Sequence, residues 1–169
     1  MVESILLIID MQPRFEAANN MPTRMAVLRE IAKAKAMNMP VIVVEFDGSG
    51  LSHQEILEAV KDYGRTVRVL KQQDDGSNEV LRACTVQGWE PISFTVVGVN
   101  TDACVARTVN GLLYLRPSVK IEVVKDAVNG DTFTNSWCGL RALSRNNRNL
   151  MIAGDEVIPF EPVVFPQAA

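Results

Sequence analysis

Ile5-Leu6-Leu7-Ile8-Ile9-Asp10 is a short, unbroken apolar run that ends on an acid. Such a run, with no polar alternation, predicts a strand buried on both faces of a parallel sheet. Two other apolar runs lead to reactive side chains: residues 66–70 precede Lys71, and residues 94–99 are followed shortly by Cys104. As parallel strands, the three would bring an acid, an amine and a thiol to the carboxyl edge of one sheet. Ligands and chemistry collect at that edge in open α/β folds. An acid and a cation beside a thiol are the neighbours a cysteine nucleophile needs.

Outward from these runs, apolar stretches of strand length alternate with segments of helical period. Met25, Leu28, Ile31 and Ala32 predict the inward stripe of a first helix, which Asn38-Met39-Pro40 ends. Residues 41–46 read as a second strand, followed by the turn Asp47-Gly48-Ser49-Gly50 and a short helix through Ile56, Leu57 and Val60. After the strand at 66–70, a polar loop leads to a helix through Val80, Leu81 and Cys84 that stops near Gly88. Residues 94–99 are the fourth strand and 104–115 the helix after it. Residues 120–124 and 150–153 are the fifth and sixth strands, with Phe133, Trp137 and Leu140 setting a helix between them. The pattern predicts a doubly wound, Rossmann-like α/β fold: a six-stranded, mostly parallel sheet with helices on both faces in three layers. Residues 1–169 read as one domain. Its apolar tail, 155–169, carries Pro159, Pro162 and Pro166 and is expected to dock without forming a helix.

Bulk composition narrows the function. The chain has 169 residues, 47% of them hydrophobic, enough for one buried core. A net charge of −3 gives no electrostatic reason for binding nucleic acid or anionic lipid. No apolar run approaches the ~20 residues that span a bilayer, so no membrane association is expected. Met1-Val2-Glu3-Ser4 lacks the basic start of a signal peptide, and a cytoplasmic location is expected. Cys84, Cys104 and Cys138 form no Cys-x-x-Cys pair, and His53 is the single histidine. Neither a disulfide framework nor a metal site is expected from that inventory.

Cys104 lies in Gly98-Val99-Asn100-Thr101-Asp102-Ala103-Cys104-Val105, a strand-to-helix turn. With Thr101 or Asp102 as N-cap, Cys104 falls in the first helical turn. The free N–H groups there are expected to favour thiolate over thiol and to receive an oxyanion. Asp10 is placed to accept the thiol proton and Lys71 to balance charge. Taken singly, each residue has a plainer reading: a buried cysteine is a small hydrophobe, a strand-end acid a turn residue, a lysine a solvated charge. Their shared placement favours chemistry. Cys84 and Cys138 are expected in the core, Trp89 to pack, and His53 to lie on the surface. Arg107 and Thr108, one turn past the thiol, fit either site support or helix packing.

Leu6-Leu7-Ile8-Ile9-Asp10-Met11-Gln12, the strand ending in Lys71, the stretch from Val97 to Val105 and Val123-Val124-Lys125-Asp126-Ala127 resemble the isochorismatase-like cysteine hydrolases. The resemblance runs in order from about residue 5 to 153, and Gly-x-x-Thr-Asp-x-Cys-Val is its most specific part. It implies Asp10 as general base, Lys71 as its charge partner and Cys104 as nucleophile. It also implies a cis peptide at Val99–Asn100, with the N–H groups of Asn100 and Cys104 forming the oxyanion hole. The implied reaction is hydrolysis of a C–N bond in a small amide, ureido or carbamoyl compound through a thioester.

Nicotinamide-hydrolysing relatives hold a metal on an Asp-x-His pair and further histidines after the second strand. Here Asp47 matches the acid but Ser49 stands in the histidine's place, so no metal and no cofactor is expected. Other members cleave a vinyl ether without a covalent step, and a non-catalytic binding or assembly module is a third reading. Gln12, Phe15, Phe46, Asp47 and Trp137 are expected around the substrate pocket. Because the loops are short, a homo-oligomer is expected, with a neighbouring subunit lending surface to the site.

Overall fold

The computed structural model describes residues 2–154. Six strands form one sheet: β1 (Val2–Ile9), β2 (Val41–Phe46), β3 (Thr66–Lys71), β4 (Glu90–Val99), β5 (Lys120–Asn129) and β6 (Leu150–Ala153). Their spatial order is β3-β2-β1-β4-β5-β6, and every pairing is parallel. The order reverses between β1 and β4, which makes the ends of those two strands the switch point where a crevice opens.

Alternation along β1 divides the core. Ile5, Leu7 and Ile9 point to one side, where they meet residues of α3 (Ser77–Gln87), α4 (Ala106–Leu115) and α5 (Cys138–Asn146). Leu6 and Ile8 point to the other, against α1 (Met21–Ala36) and α2 (Gln54–Val60). All five β1 residues from Ile5 to Ile9 are 0–1% exposed, the burial on two faces that an uninterrupted apolar run requires.

Asn20 starts α1, its side chain accepting the Thr23 N–H at 3.0 Å, and Pro22 sits in the first turn, where its missing N–H costs nothing. The buried stripe of α1 is Thr23, Ala26, Val27, Glu30, Ile31 and Ala34. The expected stripe is therefore rotated: Ile31 is kept, but Met25 is 57% exposed and Ala32 faces solvent. The small side chains of Ala26 and Ala34 let the helix lie close on the sheet, and the long Met25 is turned outward. Glu30 enters that interface with its carboxylate held by Lys33 at 2.6 Å.

The segment before β6 also differs from expectation. Phe133 and Trp137 belong to no helix. The Asp131 carboxylate accepts the N–H groups of Phe133 and Thr134 at 2.9 and 3.0 Å, an Asx-type turn that competes with helix formation. Phe133 is thus 92% exposed, and α5 starts only at Cys138, burying Leu140. Cys138 is exposed rather than in the core, whereas Cys84 is buried and Trp89 packs as expected. Two strands exceed their apolar runs: β4 begins at Glu90, paired with Val2, and β5 continues to Asn129 through a register shift opposite Val96 and Gly98. The proline-containing tail, 155–169, lies outside the described residues. Among the described residues no helix is long and apolar enough to cross a membrane.

Candidate active site

Strand alternation alone would send the Asp10 side chain toward α1, with Leu6 and Ile8. It does not go there, because Asp10 has φ 53°, a left-handed conformation that aspartate tolerates better than most residues. The backbone stays tied to the sheet through the Asp10 N–H, which donates to Val44 O at 2.9 Å. The turn swings the carboxylate to the face shared by Val67, Val69 and Lys71 on β3.

Lys71 and Asp10 meet there, Nζ to Oδ2, at 2.9 Å, both side chains fully shielded from solvent. The ammonium also donates to Gln73 O at 3.0 Å and lies 4.4 Å from the centre of the Phe46 ring. Phe46 is the register partner of Lys71 on β2, so the lysine crosses the intervening strand over an aromatic face. Gly76 leaves room for the lysine stem: a Cβ there would come within 2.9 Å of Lys71 Cδ.

Cys104 comes from the end of β4. The turn Thr101–Val105 is one π-helical turn, and α4 follows from Ala106. Neither Thr101 nor Asp102 caps it as expected. The Thr101 hydroxyl donates to Asn135 Oδ1 at 2.8 Å, while the Asp102 carboxylate accepts the Ser136 hydroxyl at 2.7 Å and the Gly139 N–H at 3.2 Å. Both side chains are spent on the loop before α5. Within the turn, Ala103 and Val105 N–H donate to Asn100 O, and Asp102 N–H to Thr134 O. The Val99–Asn100 peptide bond is cis. Gly98, with φ 123°, passes so close to the backbone of Ile9 that a Cβ there would collide with it.

The electrostatics differ from the expected thiolate. Burial, then the charge and hydrogen bonding of Asp10, push the Cys104 thiol up to about 12, with Lys71 opposing. A helix terminus is too weak to reverse this. Burial likewise raises Asp10 above the usual 3.8, against the pull of Lys71 and Cys104 and with a further upward push from Asp74. At neutral pH the sulfur holds its proton.

Asp74 is the residue that sequence reasoning missed. Its Oδ1 is 3.7 Å from Cys104 Sγ and its Oδ2 3.3 Å from Arg107 Nε. The only signal was its place in the acidic pair Asp74-Asp75, just past the strand ending in Lys71. Thr108 is fully buried and its hydroxyl donates to Asp74 O at 3.3 Å, so both residues one turn past the thiol engage this loop.

The expected pocket residues divide. Phe15 and Phe46 form an edge-to-face pair, centroids 6.4 Å apart. Gln12 is fully buried and its amide is committed to backbone, donating to Phe46 O and Gly50 O at 2.9 and 2.6 Å and accepting Phe46 N–H at 2.7 Å. It staples the loop after β2. Asp47 accepts Gln72 Nε2 at 3.5 Å. Asp47 and Phe46 line a cavity of about 420 Å³ with Glu45, Leu51, Arg68 and Leu70; Asp10, Lys71 and Cys104 do not line it. Trp137 packs, half-buried, on the α3–α5 side of the core.

A metal centre built on an Asp-x-His pair after the second strand does not fit this donor set. Ser49 offers no imidazole, and His53 is half-buried with Nδ1 3.4 Å from Arg24 Nη1. Burial first, then that guanidinium, lower the His53 pKa. Among the described residues no three His, Cys, Asp or Glu side chains gather as a metal-binding group.

Several solved structures share this architecture. Nicotinamidase from Staphylococcus aureus superposes with a TM-score of 0.70 at 18% identity, over 90% of this chain and 99% of that one. The YcaC gene product from Escherichia coli, described as an octameric hydrolase of unknown specificity, gives 0.66 at 18%, over 89% and 75%. YcaC from Pseudomonas aeruginosa, solved with hexane-2,5-diol and covalent acrylamide, gives 0.66 at 20%, over 89% and 75%. At such identities the likeness is one of fold. Comparison with curated proteins gave no match. Residues 4–149 match the family described as Isochorismatase domain, and over that span, from the first strand to the last helix, the chain belongs to the isochorismatase-like hydrolases.

Proposed function

We propose that this protein is a metal-independent cysteine hydrolase that cleaves a C–N bond of a small amide, ureido or carbamoyl compound. The observation that carries the reading is the buried Asp10–Lys71 pair at 2.9 Å, with the Asp10 carboxyl against the Cys104 thiol. Asp10 takes the thiol proton as sulfur attacks the carbonyl. The N–H groups of Asn100 and Cys104 receive the oxyanion. Asp10 then delivers the proton to the departing amine, leaving an acyl group on sulfur that water removes. The elevated affinities of both Asp10 and Cys104 for protons support a transfer coupled to attack, with no stored thiolate. Lys71 keeps Asp10 oriented and offsets the charge it carries between turnovers.

The site is proposed to act in a cytoplasmic homo-oligomer of single-domain subunits spanning 1–169, without cofactor and with a small molecule as its substrate. Free Cys84, Cys104 and Cys138 support a reducing location. Phe133, 92% exposed near the carboxyl edge, supports a partner surface beside the site, and a monomer by light scattering at micromolar concentration would count against it.

The decisive experiment is a screen of small amides and carbamoyl compounds against wild type and Cys104→Ala, with adducts detected by mass spectrometry. Turnover and the +acyl adduct are expected in wild type only; activity retained in Cys104→Ala would end the covalent reading. A second reading, acid-assisted vinyl ether cleavage, is favoured by the raised pKa of Asp10. It requires loss of activity in Asp10→Asn with little effect of Cys104→Ala.

A further inference from the structure

The turn that carries Cys104 does not cap itself. Asn100, which precedes it, offers no side-chain cap, and the side chains of Thr101 and Asp102 both turn to the loop between β5 and α5. Asp102 has several ties there and at the start of α5. Its carboxylate accepts the Ser136 hydroxyl at 2.7 Å and the Gly139 N–H at 3.2 Å, and its own N–H donates to Thr134 O at 2.8 Å. The Thr101 side chain has a single tie among the described residues: its hydroxyl donates to Asn135 Oδ1 at 2.8 Å.

Asn135 is itself held. Its Nδ2 donates to Asn129 Oδ1 at 3.2 Å, and Asn129 Nδ2 donates to Ala17 O at 3.3 Å. The relay ends on a carbonyl, which can only accept, so every member has one direction. Asn129 closes β5 beside Val99, the last residue of β4, and Ala17 is buried in the 3-10 turn Glu16–Asn19. The cysteine turn is thereby tied, across the switch point of the sheet, to the segment that follows β1 and Asp10. Thr101 is 0% exposed, where a hydroxyl without its partner is costly and the backbone would shift to find another. In the proposed mechanism Thr101 lies between the two residues whose N–H groups receive the oxyanion, Asn100 and Cys104. A rotation of Thr101 would carry both with it.

We infer that Asn135 is a positioning residue for the nucleophile: by accepting the Thr101 hydroxyl it fixes the segment from Asn100 to Cys104, and so the aim of the oxyanion N–H groups and of the sulfur. The inference rests on the hydrolase reading above. Asn135 is an exposed loop residue and acts only through Thr101.

The test uses p-nitrophenyl acetate, whose reaction with the thiol is read whatever the natural substrate. The S–C bond forms, the ester C–O bond breaks, nitrophenolate leaves, and the thiol proton passes to Asp10. Acetylation of Cys104 is followed by peptide mass spectrometry over a range of ester concentration, which separates the acylation rate constant from the half-saturating concentration. The exposed Cys138 serves as internal reference. Asn135→Leu removes the acceptor and keeps water out. It is expected to slow Cys104 acetylation by about tenfold or more with half-saturation unchanged, a shift of ~1 Å at reacting groups being worth about 10²-fold. Thr101→Val removes the same bond from its other end and is expected to match it. Asn135→Asp keeps the accepting oxygen and is expected to keep most of the rate. Asn129→Leu breaks the relay behind Asn135 and is expected to lower the Tm while keeping most of the rate.

An unchanged rate in Asn135→Leu and Thr101→Val overturns the inference. So does a loss as large in Asn135→Asp or in Asn129→Leu, which would mark a merely structural role. The hydrolase reading is scored apart, on release of the acetyl group by water. Asn135-dependent acetylation without release would overturn that reading and leave the positioning role standing, and release with an Asn135-independent rate would do the reverse. A wild-type Cys104 that is not acetylated overturns both.

Discussion

Lys71 Nζ and Asp10 Oδ2 sit 2.9 Å apart with no solvent exposure on either side chain. In such a place neither charge can do without the other. Removing one partner of a buried pair costs roughly 3–5 kcal/mol, because the survivor is left uncompensated. Lys71→Met, which strands the Asp10 carboxylate, is expected to destabilise the protein on that scale in denaturant titrations, and Asp10→Asn by less, because burial already favours the uncharged form of Asp10. The double variant should cost less than the sum, the coupling that a double-mutant cycle reads.

Stability should depend on pH through the same acid. Asp10 has its pKa raised by burial, so the folded state binds its proton more tightly than the unfolded state does. Its contribution is complete below the ordinary 3.8 and is lost as pH rises through the folded value. Wild type is therefore expected to lose stability relative to Asp10→Asn as pH climbs from the acid side toward neutrality. The acid limb of the pH–rate profile should likewise stand above 3.8. Asp74→Asn, which removes a charge that raises Asp10, should move that limb to lower pH.

Alkylation should follow exposure and proton affinity. Cys138 is exposed, whereas burial pushes the Cys84 thiol to about 11 and burial with Asp10 pushes Cys104 to about 12. Iodoacetamide on the native protein at pH 8 is expected to label Cys138 first and Cys104 last, read by peptide mass spectrometry. Slow labelling of Cys104 fits a site that releases its proton only on attack, and it is equally the outcome that a non-catalytic module predicts.

Gly98→Ala should be damaging. The φ of 123° alone costs a side chain about 1–3 kcal/mol, and the Cβ would strike the backbone of Ile9. Since Ile9 precedes Asp10 and Gly98 precedes the cysteine turn, the expected result is a lower Tm together with loss of activity.

Gln12→Leu should loosen the loop after β2. It leaves the Phe46 N–H without its acceptor, at a cost of roughly 1–3 kcal/mol for a buried group left unpaired, and removes the Gln12 donor from the Phe46 and Gly50 carbonyls, of which Phe46 O keeps the Ser49 N–H. Faster amide exchange at Phe46, under the Lys71 ammonium, would report it.

The strand ends were legible because burial on both faces leaves an unmistakable apolar run, and the parallel sheet follows from alternation of those runs with helices, although the order of the strands does not. Which face a strand-end residue serves was not. Lys71 stays in step with Val67 and Val69, but Asp10 reaches the same side only through a left-handed backbone that no residue pattern announces. Thr101 and Asp102 have the composition of caps, and their oxygens went to a loop far along the chain. Asp74 was hidden for a related reason: an acidic loop residue is ordinarily solvated, and only its anchorage to Thr108 on α4 sets it on the thiol. Helix rotation, as in α1, turns on close packing between surfaces that sequence periodicity describes one at a time.

Lys71 is supplied by the strand at the rim of the sheet, two places from β1 and joined to it only through β2. Rim strands are paired on one side and open at the low end of a protein's range of local free energies. An opening of β3 that left the other five strands in register would withdraw the ammonium and leave the acid alone in its apolar setting. Heating or mild denaturant should therefore silence the site before the fold gives way, with the vulnerability written into the seating order of the strands.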